Sequence, residues 1–319
     1  KFLVSPLVVS AGHKKGRFMN TDIPAKEGFV SFQGYNVWYR AVGDREAPGK
    51  FPLLCLHGGP GASHDYLTPL EALVATGRRV IFYDQLGGGN SDHPHNPSLW
   101  TVPLFVEELS VVRQALGLER VHILGQSWGG MLGMEYALTQ PAGLASLIVA
   151  DSPASMPQWV AEANRLRADL PPNVQETLLK HEAAGTTDDP AYQEAMLVFY
   201  RRHVCRLDPW PDCFNRTFEK LSQYPEVYIT MNGPSEFHVI GVIKDWDIVD
   251  QLNEIQAPTL VISGRYDEAT PAIAQTVHRG IPGSEWVVFE NSSHTPHLEE
   301  TERYLQVVAS FLDRCESEP

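Results

Sequence analysis

From residue 28 the chain alternates apolar and polar positions through 28–32 and again through 36–42, with Gln33-Gly34 between the two runs. A period of two puts successive side chains on opposite faces of a strand, and a short break around Gln33-Gly34 predicts an antiparallel hairpin. The pattern then changes. Residues 52–56, 79–83, 121–124 and 144–149 are short runs dominated by β-branched and other apolar residues, without the alternation of the hairpin. Strands of that kind are buried on both sides, and the intervening segments 103–116 and 129–139 carry helical spacing. Together they predict a mainly parallel sheet with crossover helices. The alternation breaks at Ser152-Pro153 and resumes at Pro258. Between them, 153–245 reads as mostly helical and rich in Trp, Pro and charge, with 193–204 as one clear helix. Strands at 259–263 and 285–290 and helices at 272–278 and 299–313 then restore the earlier alternation. The expected organisation is a core at 19–152 and 246–315, interrupted by a helical cap at 153–245. Residues 1–18 are read as a disordered leader outside the fold.

The leader is apolar over 2–11, too short to span a bilayer, and its basic residues follow the apolar run, the reverse of a secretory signal. Composition adds an exclusion. The 319 residues carry 39 acidic and 25 basic side chains, a net charge of −14, which disfavours nucleic acid and anionic membranes as partners. The four cysteines, Cys55, Cys205, Cys213 and Cys315, show no metal-ligand spacing. Cys205 and Cys213 are close enough in sequence to pair in an oxidising compartment, but reduced thiols in a cytoplasmic protein are the expectation. No metal or cofactor is expected.

The candidate chemistry centres on Gly125-Gln126-Ser127-Trp128-Gly129, a G-x-S-x-G pattern with an apolar strand before it and a helix after it. In that setting the serine occupies a strained strand-to-helix turn, and the flanking glycines allow close backbone contact. Ser127 is the expected nucleophile. A nucleophilic serine needs a base and an orienting acid. Asp267 follows the strand 259–263 and His294 follows 285–290, so both fall in loops at the carboxyl edge of the sheet, as Ser127 does. Glu268 and His297 are their rivals. The run Leu56-His57-Gly58-Gly59-Pro60-Gly61 ends a strand in a glycine-rich loop, and it lacks the lysine of a phosphate-binding loop. The N–H groups of Gly59 and Trp128 are the candidate oxyanion hole. The order serine, acid, histidine on these elements predicts the α/β-hydrolase fold: a mainly parallel eight-stranded sheet with the helical cap between strands six and seven. A serine at 127 argues against the dehalogenase and epoxide-hydrolase branches, which use aspartate there.

With those motifs, the chain resembles the proline iminopeptidases, α/β-hydrolase aminopeptidases, from about residue 28 to residue 311. The likeness rests on 57–61, on Tyr83-Asp84-Gln85-Leu86-Gly87-Gly88-Gly89-Asn90-Ser91 and on the elbow, with Asn232-Gly233-Pro234-Ser235-Glu236-Phe237 and Lys244-Asp245-Trp246-Asp247 from the cap side. It implies metal-free release of an N-terminal residue, often proline, from short peptides or amino-acid amides through an acyl-enzyme. By the same resemblance Glu236 and Glu268 match the amine-binding glutamates; read from the residues alone, Glu268 is an ordinary surface or capping carboxylate. Phe237, Trp128 and Trp246 are candidates for an apolar wall beside the substrate ring. Gly87-Gly88-Gly89 departs from the family's commoner glycine–arginine–glycine, and the wording around Glu236 is closer to the broad-specificity aminopeptidases and L-amino-acid amidases. A carboxylesterase or lactonase using the same triad is the alternative enzyme, and a non-catalytic ligand-binding receptor is the alternative outside enzymes.

Overall fold

Gln33 and Gly34 take φ of 50° and 88°, the turn geometry that matches the right-handed twist of a strand pair. They join β1 (Ala25–Phe32) to β2 (Tyr35–Val42) in the antiparallel hairpin that the alternation predicts. In the computed structural model, which describes residues 24–317, six further strands follow: β3 (Leu53–Leu56), β4 (Val80–Tyr83), β5 (Val121–Gln126), β6 (Leu144–Ala150), β7 (Thr259–Gly264) and β8 (Glu285–Phe289). The leader at 1–18 lies outside the described residues. The sheet order is β1-β2-β4-β3-β5-β6-β7-β8, antiparallel only where β2 meets β1 and β4. Every residue of β3, β4, β5 and β7 is buried, which is why these strands read as predominantly apolar runs without alternation.

The strand order reverses at β3, whose neighbours are β4 and β5, and Leu56 pairs with Gly125 across that junction. A crevice opens outside the carboxyl ends of the strands at such a reversal, the usual place for a ligand in an open α/β sheet. Helices α1 (Val102–Ala115), α2 (Trp128–Leu138), α8 (Pro271–Gly280), α9 (Pro296–Glu299) and α10 (Thr301–Ser317) belong to the sheet layer. Between β6 and β7 lie α3 (Met156–Arg167), α4 (Pro172–Ala184), α5 (Pro190–His203), α6 (Asp212–Gln223) and α7 (Glu226–Met231), forming the cap. Its interior packs Leu166, Leu178, Tyr192, Phe199, Phe214 and Phe237. Cys205 and Cys213 are free thiols there.

Two elements differ from expectation. A 3₁₀ helix, His64–Thr76, joins β3 to β4 where the sequence suggested no element; its internal Pro69 masks the helical spacing. The final helix is broken at Glu300 into α9 and α10, with Glu300 at φ −129° and ψ 50°. The break frees two carboxylates to hold the loop before His294. Glu299 accepts from the Ser293 amide at 2.7 Å, and Glu300 accepts from the Ser292 hydroxyl at 2.6 Å.

Glu108 on α1 accepts from the Leu86 amide at 2.8 Å through Oε1, while its buried Oε2 has no partner among the described residues. Burial pushes this carboxyl up to about 8, against about 4.3 for an exposed glutamate. The folded state therefore binds the extra proton. That contribution is fully present below the unfolded value and is lost as pH rises through the folded one. Melting temperature is expected to fall between about pH 5 and pH 9, and Glu108→Gln, which keeps an acceptor for Leu86, should make that fall shallower. An unchanged profile in thermal scans of the variant would rule out this origin.

Candidate active site

Ser127 joins β5 to α2 at φ 56° and ψ −124°, a conformation that its surroundings impose. A Cβ on Gly125 would stand 2.0 Å from the Gly129 carbonyl oxygen, and one on Gly129 would stand 2.2 Å from the Leu56 carbonyl oxygen. Only glycine fits either place. The turn leaves Ser127 at the N-terminus of α2, where the first-turn amides, Trp128 among them, lack intrahelical acceptors. The loop after β3 approaches from the other side. Gly59 has φ 111° and is followed by Pro60 through a cis peptide bond. Gly59, Ser127, Trp128 and Glu236 line one cavity, with Met131, Pro153, Met156, Trp159, Asn232 and Ile243 completing its wall. Phe237 and Trp246 do not line it. Phe237 packs on Phe199 beneath the Arg167 guanidinium, and the Trp246 indole donates to Glu135. The apolar wall falls instead to Trp128, Met131, Met156, Trp159 and Ile243.

Asp267 Oδ1 lies 2.7 Å from His294 Nδ1 and also accepts from the Ala269 amide at 2.8 Å. With the aspartate as acceptor, Nδ1 carries the proton and Nε2 is left with its lone pair, the form a general base needs. His297 does not compete. Its Nε2 donates to the Tyr66 carbonyl at 3.2 Å, and burial pushes it down to about 3. The cap takes part in positioning. The carbonyl of His203, the last residue of α5, accepts from the amides of both His294 and Glu268 at 3.2 Å.

Glu268 is 1% exposed, and neither of its carboxylate oxygens accepts a hydrogen bond from the described residues. Oε1 is 3.7 Å from His294 Nε2. Burial, reinforced by the charges of Glu236 and Asp267, raises this carboxyl well above the ordinary range. Glu236 reaches the same place from the cap. Its Oε1 accepts from the Tyr228 hydroxyl at 2.7 Å, its amide donates to the Tyr200 hydroxyl, and its carbonyl accepts from the Trp159 indole. Burial raises Glu236 too, opposed by that tyrosine bond and by His294. Three carboxyls thus meet around one imidazole, with no lysine or arginine among the groups that perturb the two glutamates. Such a cluster is electrostatically incomplete without a cation.

Sequence reasoning missed the groups that tie these parts together. Tyr66 accepts from the Gly58 amide at 2.8 Å and donates to Gln126 Oε1 at 2.5 Å, while Gln126 Nε2 donates to the His294 carbonyl at 2.8 Å. One chain of hydrogen bonds therefore links the glycine loop, the elbow and the histidine loop. Gln126 sits at a variable position of its motif, and Tyr66 and Tyr228 belong to no motif. Asp151 was also missed, although a polar residue directly after the apolar run of β6 was a usable signal.

A family model described as the alpha/beta hydrolase fold matches residues 52–301. A proline iminopeptidase of Saccharolobus solfataricus is 42% identical over 296 residues, covering 92% of this chain and 94% of its own length. One from Heyndrickxia coagulans is 43% identical, covering 90% and 98%. Among solved structures, VinJ matches with a TM-score of 0.88 at 51% identity, over 91% of this chain and 99% of its own. The proline iminopeptidase of Mycobacterium smegmatis matches with a TM-score of 0.85 at 46% identity, over the same shares. Among the described residues no helix is long and apolar enough to cross a membrane.

Proposed function

This chain belongs to the proline iminopeptidase family of α/β hydrolases, and from that premise we propose that it is a serine aminopeptidase whose nucleophile, acid and base are Ser127, Asp267 and His294. Ser127 Oγ attacks the first carbonyl of a short peptide or amino-acid amide as His294 Nε2 takes its proton. Asp267 holds the imidazole and stabilises the imidazolium. The oxyanion is met by the N–H groups of Gly59 and Trp128, and the collapsing intermediate returns the proton from His294 to the leaving amine. Water, activated by the same histidine, then releases the acyl group from Ser127.

One observation carries the aminopeptidase reading over an esterase: the buried Glu268 carboxylate, unpartnered, beside Glu236. A substrate α-ammonium supplies the missing positive charge and the N–H donors, and charge-assisted hydrogen bonds to two carboxylates fix the first residue against Ser127. The protonated secondary amine of an N-terminal proline has two N–H bonds, one for each glutamate. The apolar wall of Met131, Met156, Trp159 and Ile243 suits an aliphatic or ring side chain of that residue. A cytoplasmic setting, the expectation for a chain whose cysteines show no disulfide framework or metal-ligand spacing, is part of the proposal.

Glu236→Gln and Glu268→Gln are each expected to raise KM for aminoacyl naphthylamides by about ten- to a thousand-fold, the worth of a buried charge-assisted pair. Hydrolysis of p-nitrophenyl acetate, which has no ammonium, should stay within a few-fold. Equal losses on both substrates would favour the esterase or lactonase. The same glutamates set a pH dependence. Both are raised, so acidification neutralises them sooner than it would exposed glutamates, and KM for amine substrates is expected to climb as pH falls.

A further inference from the structure

Asp151 follows β6 directly, at φ 52° and with no solvent exposure. Its amide donates to the Ile262 carbonyl at 2.8 Å, and its Oδ1 accepts from the Gly264 amide at 3.2 Å, so the residue is pinned to the end of β7. Among the described residues its other oxygen, Oδ2, has no donor. Nor does Oδ2 of Asp267. Yet the two buried carboxyls are close enough to act on one another. Two carboxylate oxygens cannot bond each other as acceptors, and two adjacent buried anions repel. A single proton between them removes both difficulties.

The surroundings say which residue carries it. Asp267 Oδ1 already accepts from His294 Nδ1 and the Ala269 amide, both at short range, so its negative charge is stabilised. Asp151 has only the one longer amide bond. Burial, with Asp267 and then Glu299 nearby, raises the Asp151 carboxyl well above the ordinary range. The other titratable groups that feel it are Tyr66 from the 3₁₀ helix and Tyr304 from α10, neither a cation.

We propose that Asp151 is a positioning residue for the triad, a neutral carboxylic acid whose Oδ2–H donates to Oδ2 of Asp267. That bond satisfies the oxygen of Asp267 that His294 does not use, and fixes the carboxylate plane so that Oδ1 points at Nδ1. It also keeps one negative charge, not two, behind the imidazole. Asp151 touches neither substrate nor the reacting atoms. The inference rests on Asp267 and His294 having the roles proposed above.

Two variants separate positioning from mere packing. Asparagine tolerates the left-handed backbone, keeps an acceptor for Gly264 and supplies an N–H donor to Asp267. Glycine tolerates the same backbone but supplies no donor. Asp151→Asn is expected to retain kcat within about three-fold, whereas Asp151→Gly should lose about ten- to a hundred-fold in kcat with KM nearly unchanged, the scale of a misplaced catalytic group. Equal kcat in the two variants, whether both active or both impaired, overturns the proposal, as does a loss carried by KM. Circular dichroism of both variants establishes that the comparison is between folded proteins. Difference infrared spectroscopy of wild type against Asp151→Asn at neutral pH reads the proton without reference to activity. The carbonyl stretch of a protonated carboxyl should disappear in the variant, and its absence from the wild type overturns the assignment. A retained band with full activity in His294→Ala would instead place the fault with the triad.

Discussion

Ser127→Ala is expected to lower kcat on aminoacyl amides by roughly four to six orders of magnitude, with substrate still bound and the fold intact. The size follows from geometry. The elbow holds residue 127 at φ 56°, lifted from the end of β5 into the cavity that Gly59, Trp128 and Glu236 share. Alanine keeps that backbone and removes only Oγ, so the loss reports the nucleophile and not a rearranged turn. Residual turnover above the uncatalysed rate would come from the oxyanion donors and the amine clamp acting on water. Binding should persist because Glu236 and Glu268 are untouched. Active-site labelling checks the same point: a fluorophosphonate should modify the wild type at Ser127 and leave the variant unmodified. Failure to label folded wild-type protein would support a receptor built on a hydrolase fold.

Gly129→Ala is the second large effect, and it falls on stability. The new Cβ would meet the Leu56 carbonyl oxygen at 2.2 Å, the Leu56 carbonyl carbon at 2.7 Å and the His57 oxygen at 2.8 Å. These are backbone atoms of β3 and of the loop after it. They cannot turn aside as a side chain would, because Leu56 pairs with Gly125 in the centre of the sheet. Overpacking that side chains absorb destabilises by about 1–3 kcal/mol, so an obstacle made of central backbone should exceed 3 kcal/mol. Gly133→Ala, one turn further along α2, is the matched control. Its Cβ would stand 3.0 Å from Leu147 Cδ1, the end of a flexible side chain, and alanine is favoured over glycine inside a helix by about 0.5–1 kcal/mol. Urea denaturation should therefore show a large loss for Gly129→Ala and a small change for Gly133→Ala. Similar values would mean that the elbow backbone yields more easily than these contacts require. Loss of activity should accompany the stability loss, since β3 carries the oxyanion loop.

The sheet, the hairpin and the elbow were readable because each is a local pattern with one physical meaning. Predominantly apolar runs without alternation occur where strands are covered on both faces. Gln33-Gly34 permits two positive φ values, and glycines at 125 and 129 mark backbone in contact with backbone. The break of the last helix at Glu300 was hidden because residues on both sides of it suit a helix equally well. Pro69 hid the 3₁₀ helix in the opposite way, by interrupting a pattern that the chain nevertheless follows.

What the sequence determined by itself was therefore the order of strands and helices, the insertion of a helical segment between the sixth and seventh strands, and the placement of Ser127, Asp267 and His294 at one edge of the sheet. The tertiary structure decided which groups meet there. It put His297 against Tyr66, turned Phe237 and Trp246 away from the cavity, and brought Glu236 from the cap to Glu268 on the loop after β7. It also set Asp151 against Asp267 across neighbouring strands. The physical reason is range. Backbone conformation and strand burial are settled by residues within a few positions of one another. The charge state of a buried carboxyl is settled by whatever the fold packs against it, and neither the hydrophobic pattern nor the spacing of a motif records that.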